Sequence, residues 1–377
     1  MGWAEVERTF AEAIEQGAIP GATLIVRKGE QIAFEGAFGY RSLEPERSPM
    51  RLDTVFDLSS LTKPLATTVA VMLMTRDGKL RLDDRVTRFF HNFGVHGKGY
   101  VTFRQLLAHC SGLAAWRPFH QQVAEVERAG KVNFMASHGA KEFVYEQIHR
   151  EKLEYPVATQ TLYSDLNFML LGEAVERVAG VPLNRFCRER IFRPLGIRAT
   201  DFIDISLVRS RRLEPVAEMF APTSFCAFRK RLLVGEVDDE NAYAMGGVAG
   251  HAGLFAPVGD VDRIARELLA CYAGRSEWLP QKVVREFWTR DTTVNGSTWA
   301  LGWDTPSVQY SSSGRHFSPT AVGHLGFTGT SIWIEPERAI SISLLTNRVH
   351  PRRDNQAIRD FRPRIHDLIM EAIDPNK

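Results

Sequence analysis

Ser60, Leu61, Thr62 and Lys63 set a hydroxyl and an amine three residues apart, just ahead of the apolar run Pro64 to Met74. On a helix such residues share one face, with Cβ atoms roughly 5 to 6 Å apart, which suits a nucleophile beside its base. Pro64 sharpens the reading. Proline is tolerated only in a helix's first turn, where the missing N–H would have no partner, so the helix starts close to Ser60. Ser60 then sits at the positive end, where its own N–H can hold an oxyanion. The dipole and burial push the Lys63 amine toward its neutral, proton-accepting form. This is acyl-transfer chemistry. Taken alone, the motif also fits an N-cap serine followed by a solvated lysine.

Acyl transfer further needs a group that relays the proton to the leaving group and a second donor for the oxyanion. Tyr163-Ser164-Asp165 falls just before an apolar helical pattern starting near Asn167, so its side chains can project toward a cleft. His324-Leu325-Gly326 runs into Phe327-Thr328-Gly329-Thr330, where glycines let a substrate approach an edge strand's backbone closely. Separately, Tyr163 reads as a half-buried core tyrosine and His324 as part of a surface turn. Together, 103 and 264 positions after Ser60, they complete a constellation.

With these three motifs the sequence resembles the serine β-lactamase and penicillin-binding-protein superfamily, whose signature is an S-x-x-K, a second polar triad and a K-T-G type strand. The spacing is similar to the branch holding class C β-lactamases, family VIII carboxylesterases, D-aminopeptidases and cell-wall amidase-like hydrolases. Leu106 to Leu113, Gly250 to Phe255 and Gly323 to Thr330 resemble the same branch. The resemblance implies Ser60 as nucleophile, Lys63 as its base and Tyr163 as proton shuttle, with the N–H groups of Ser60 and Phe327 as oxyanion hole. Two departures bear on substrate. Asp165 stands where β-lactamases of this branch have Asn, so a group that donates and accepts becomes an acceptor only, and grip on an acylamido group weakens. His324 replaces Lys, weakening the fixed charge that reads a substrate carboxylate; Arg348, after Thr346-Asn347, could restore it or be a solvated strand-end arginine.

The elements that must position these residues can be read from periodicity. Trp3 to Gln16 has helical spacing, Ala22 to Val26 and Gln31 to Phe34 alternate as two strands, and Ser331 to Ile334 and Ala339 to Leu345 form another pair. Between them lie helical patterns at Phe103 to His109, Lys141 to His149, Asn167 to Val178, Leu183 to Ile191 and Val261 to Tyr272, and Asn355 to Ala372 forms a last helix. The expected fold is α/β, of the α+β kind: an antiparallel sheet built from both termini, flanked by helices, with a large mostly helical region inserted. The sheet domain is expected over residues 1–58 and 297–377 and the helical region over 59–296, with the site at their junction.

With 377 residues and a net charge of +2, the chain can bury a large core and has no general attraction to nucleic acid or membrane surfaces. Arg209 to Arg212 and Arg229 to Arg231 read as solvated faces, and Asp238-Asp239-Glu240-Asn241 as a solvated loop. The four cysteines form no C-x-x-C, and neither His91 with His96 nor His109 with Cys110 has metal-ligand spacing, so no metal and no cofactor is expected. The acidic N-terminus lacks a signal peptide's basic start and apolar core, so the chain as written is placed in the cytoplasm, or outside it had a leader been trimmed.

The leading expectation is a cofactor-free serine hydrolase forming an acyl-enzyme, first of all a carboxylesterase on small esters. An amidase or peptidase on muropeptide or D-amino-acid substrates ranks second and a β-lactamase third. A non-catalytic penicillin-recognition or sensor module is the alternative from another class. The partner is a small ester or amide, and oligomeric state is left open.

Overall fold

β1 (Gly21–Lys28) is buried along its first seven residues, which only a strand covered on both faces and both edges achieves. A computed structural model, describing residues 2–374, supplies that cover. The other strands of its sheet are β2 (Gln31–Ser42), β3 (Ser48–Pro49), β4 (Val322–Leu325), β5 (Ser331–Glu335) and β6 (Ile340–Thr346). They form one antiparallel six-stranded sheet in the order β3-β2-β1-β6-β5-β4. Ala22 pairs with Thr346 and Lys28 with Ile340, so the chain's two ends meet at the sheet's centre.

Side chains alternate across this sheet, as the two-residue period demands. Leu24, Val26, Trp333 and Ile342 point to one face. There they pack with Val6 and Phe10 of helix α1 (Trp3–Glu15) and Phe361 and Ile365 of the C-terminal helix, Ile358–Ile373. Ile25, Ile332, Ile334 and Leu345 point the other way, into the large core shared with the helical region. A buried ion pair, Arg27 to Asp262 at 2.6 Å, ties β1 to the helix Val258–Tyr272.

The stretch carrying Ser60 is less regular than expected. A 3₁₀ turn over Ser59–Leu61 runs into π-helical geometry over Lys63–Thr68 and only then into helix α2, Val69–Arg76. Pro64 stands where its missing N–H is tolerated, in the first turn. Helices Phe119–Arg128 and Gln281–Trp288 were not anticipated: the first buries only Phe119, His120 and Val123, too sparse a stripe to read, and the second is two turns long.

Two charge readings are corrected. The Arg229 side chain is buried, held by Glu236 at 2.7 Å and by the carbonyls of Val237 and Asp238, while Lys230 and Arg231 are exposed as expected. Asp238 and Asn241 are buried too: Arg353 bridges Asp238 and Glu240 at 2.9 and 2.7 Å, so this acidic stretch is a paired internal network. Among the described residues there is no cluster of His, Cys, Asp and Glu that could hold a metal, and no helix long and apolar enough to cross a membrane.

Candidate active site

Three side chains converge from three elements. Lys63 Nζ lies 3.0 Å from Ser60 Oγ, and the Tyr163 hydroxyl lies 2.8 Å from the same oxygen. Tyr163 precedes helix α3 (Asp165–Ala179), whose N-cap is Ser164: the Ser164 hydroxyl accepts from the Asn167 N–H and donates to the Ala114 carbonyl. The capping that starts this helix therefore also fixes the tyrosine. His109, read only as lacking metal-ligand spacing with Cys110, holds the same turn from beneath. Its Nδ1 accepts the Ser164 N–H at 3.0 Å, and its ring packs against Tyr163 with centroids 4.8 Å apart. Burial and then the Lys63 charge keep this imidazole neutral.

Asp165, where a weakened grip on a substrate's acylamido group was expected, turns inward. Its Oδ1 lies 2.7 Å from Lys63 Nζ. The Lys63 ammonium donates to Ser60 Oγ and to the His251 carbonyl at 3.0 Å, and Asp165 is its ion-pair partner. The carbonyl is delivered by a close backbone crossing, since a Cβ on Gly250 would stand 2.1 Å from the Phe168 carbonyl oxygen. Burial alone would neutralise Lys63, the expected outcome, but Asp165 and Tyr163 outweigh it and hold the amine above its ordinary range. The resting lysine is a cation. Tyr163 is pushed up by burial against the opposing pull of Lys63, so it rests as a neutral phenol.

The facing wall is the turn after β4. Gly326 has to be glycine, because a Cβ there would meet Thr330 Oγ1 at 2.0 Å and the Leu58 carbonyl at 2.7 Å. The Phe327 N–H donates to Ser59 Oγ at 3.2 Å, with Ser59 in the left-handed region at φ 49°. Thr328 and Thr330 donate to the carbonyls of Asp57 and Leu58, tying the turn to the backbone just before Ser60. Arg362, which no sequence pattern marked, donates from Nη2 to the carbonyls of Gly326 and Thr330 at 3.0 and 2.9 Å.

His324 and Arg348 both lie at this wall, and neither is a free charge. His324 is buried, its Nδ1 donates to the Leu325 carbonyl, and burial followed by the Lys63 charge pushes it down to about 3. Arg348 is only 5% exposed. It donates to the carbonyls of Phe327, Arg353 and Asn355, and its guanidinium covers the Phe327 ring. Ser60, Tyr163, His324, Gly326, Phe327 and Arg348 line one cleft of about 440 Å³. Trp299, Asp304 and Arg359 join them there. Trp299 stacks on Tyr163, Asp304 is pushed up to about 6 by burial, and Arg359 is exposed with no ion pair among the described residues.

A hydroxyl between an ammonium and a phenol, opposite a pinned turn with an inward N–H, has the parts for acyl transfer. The Beta-lactamase family profile matches residues 6–364. The chain belongs to the beta-lactamase family. As a member it is a serine hydrolase, with no substrate class fixed by membership. It is 31% identical over 369 residues to a putative D-alanyl-D-alanine carboxypeptidase of Escherichia coli K12, covering 92% of this chain and 82% of that one. It is also 31% identical over 378 residues to an N-acetylmuramyl-L-alanine amidase of Bacillus subtilis strain 168, covering 92% and 81%. Among solved structures, EstCE1, a hydrolase with promiscuous acyltransferase activity, matches with TM-score 0.70 at 22% identity over 96% of this chain and 98% of that one. The octameric penicillin-binding protein homologue of Pyrococcus abyssi matches with TM-score 0.71 at 19% identity over 100% and 77%. These two likenesses concern the fold.

Proposed function

We propose that this serine hydrolase cleaves amide bonds in small, carboxylate-bearing peptides of the cell-wall type, through an acyl-enzyme on Ser60. Ser60 Oγ attacks the carbonyl, the N–H groups of Ser60 and Phe327 hold the oxyanion, and Tyr163 hands a proton to the departing amine. A leaving amine needs that proton far more than an activated alcohol does, so a phenol 2.8 Å from the nucleophile supports amide chemistry. Ser59 Oγ must yield the Phe327 N–H to the incoming carbonyl oxygen.

The observation that carries the substrate reading is Arg359. Arg348 and Arg362 are buried and turn guanidinium donors to backbone carbonyls, whereas Arg359 stands exposed at the same cleft with no ion pair among the described residues. An unpaired guanidinium beside a nucleophile favours a carboxylate on the substrate. The names of the two relatives, a carboxypeptidase and an amidase, point to the same chemistry. This ranks the amidase reading above the esterase reading that the sequence favoured; small esters remain the second reading, supported by the apolar surface of Trp299 and half-exposed Phe327 in the cleft.

The test is a panel of D-alanyl-D-alanine peptides, an N-acetylmuramyl-L-alanine substrate, p-nitrophenyl esters and nitrocefin, with the Arg359→Ala variant run alongside. Cleavage of one of the amides, with KM raised at least about tenfold in the variant, is the expected result. Turnover of esters alone, unchanged by Arg359→Ala, would remove the amide reading.

A further inference from the structure

We propose that Asp165 is the proton store of this site: acting through Lys63, it takes up the proton Ser60 loses on attack, while Lys63 stays a cation. This rests on Ser60 as nucleophile and not on the identity of the amide substrate.

Nζ donates hydrogen bonds to Ser60 Oγ and the His251 carbonyl, both at 3.0 Å, and Asp165 Oδ1 lies 2.7 Å from the same nitrogen as its ion-pair partner. No lone pair on Nζ is left for the Ser60 proton. The Tyr163 hydroxyl also donates to Ser60 Oγ, at 2.8 Å, so the nucleophile receives from both neighbours.

The other titratable groups around Nζ are poor sinks. His109 already accepts the Ser164 N–H on Nδ1 and is held neutral by burial. His324 bonds the Leu325 carbonyl and is disfavoured as a cation by burial and by Lys63. Asp239 is tied to His251 Nε2 at 3.0 Å and to the Ala242 N–H, and its carboxylate form is strongly favoured by His251 despite burial. Asp165 is left, with its side chain 18% exposed, joined directly to Nζ. An amide at this position could accept from Nζ but could not take the proton.

The step balances. The Oγ–H bond breaks as Oγ–C forms and the carbonyl π pair moves onto oxygen. The proton passes from Oγ to Nζ while a second Nζ proton passes to Asp165 Oδ1, so Lys63 begins and ends as ammonium beside the developing oxyanion. On collapse the bond from carbon to the leaving group breaks. The stored proton then returns through Lys63 and Tyr163 to the leaving group.

The test is the second-order rate of fluorophosphonate labelling of Ser60 in the full chain, measured from pH 4 to 10. It needs no turnover and no natural substrate, so a wrong amide reading leaves it intact. The wild-type profile is expected to carry an acid limb. Asp165→Asn should move the limb to higher pH by about two units or more, because Lys63 must then lose a proton itself, and slow labelling at pH 7 by about 10²-fold. Asp165→Glu, which restores an acid, should bring the limb back toward the wild type. A limb displaced by less than about one unit in Asp165→Asn, or an Asp165→Glu limb that stays with it, overturns the proposal. A wild-type limb above neutral pH overturns it whether or not either variant folds.

Discussion

Replacing Arg362 with Met should cost the enzyme its rate while leaving its stability nearly intact. Arg362 is buried in the C-terminal helix, and its Nη2 donates to the Gly326 and Thr330 carbonyls at 3.0 and 2.9 Å. Two hydrogen bonds from a charged donor are worth roughly 3 to 6 kcal/mol together. Against them stands the cost of burying a guanidinium, visible in its being pushed down to about 9 from 12.5 by burial and then by Arg348. At 1.36 kcal/mol per unit that opposing cost is of order 5 kcal/mol. The two cancel to within a few kcal/mol, as they do when a buried ion is replaced by an apolar side chain of similar size. What does not cancel is geometry. Without Arg362 the turn that carries the Phe327 N–H loses its hold from the C-terminal helix, and a misplaced oxyanion donor costs about 10²- to 10³-fold. The assay pairs p-nitrophenyl acetate hydrolysis with thermal unfolding. A kcat/KM at least about 30-fold lower, with Tm moved by less than about 4 °C, is expected. Wild-type kcat/KM in a folded Arg362→Met enzyme would refute the reasoning.

Tyr163→Phe should slow amide cleavage by about 10²- to 10⁴-fold and activated esters far less, since a nitrophenolate leaves without protonation; equal losses on both substrates would dismiss the shuttle role. Lys63→Arg should not preserve the rate, because a guanidinium neither passes protons on nor fits the three acceptors around Nζ, and near-wild-type hydrolysis would exclude Lys63 from proton transfer. His366, buried with Nδ1 against the Ser312 carbonyl, is pushed down to about 4 from 6.5 by burial. The unfolded state therefore binds more protons between those values, and stability falls as pH drops from about 6.5 to 4, by up to roughly 3 kcal/mol for this group. Urea unfolding at pH 7 and pH 4.5 should show a smaller difference in His366→Gln than in the wild type; an equal difference would reject the assignment.

The sheet and the Ser60, Lys63 and Tyr163 constellation were readable because each rests on a short-range rule. Strands alternate, helices start at caps and prolines, and an S-x-x-K brings its two ends together on any helical turn. The electrostatic state of the site was not readable, because it depends on which residues the fold sets side by side. Asp165 sits two residues after Tyr163, yet nothing in that spacing says its carboxylate turns back onto Lys63. His324 looked like a weakened charge and is a neutral buried ring, since the depth that decides its protonation comes from Trp299 and Tyr163 packed on it. Arg362 and Arg359 lie on a helix whose pattern marks only the buried stripe, so the arginine that pins the turn carrying Phe327 and the one that faces the cleft looked alike. Two signals were available and passed over. The serine before the nucleophile carries a hydroxyl that now bonds the Phe327 N–H, and the Leu106 to Leu113 stretch holds His109, which braces Tyr163.

The proposed catalysis passes through a covalent acyl-enzyme on Ser60. Its most direct measurement is intact-protein mass spectrometry of the chain quenched in acid during turnover of p-nitrophenyl acetate, followed by peptide mapping. A single added acetyl group on the peptide holding Ser60, absent from Ser60→Ala, is the predicted result. An adduct on another residue, or hydrolysis that survives in Ser60→Ala, would contradict it.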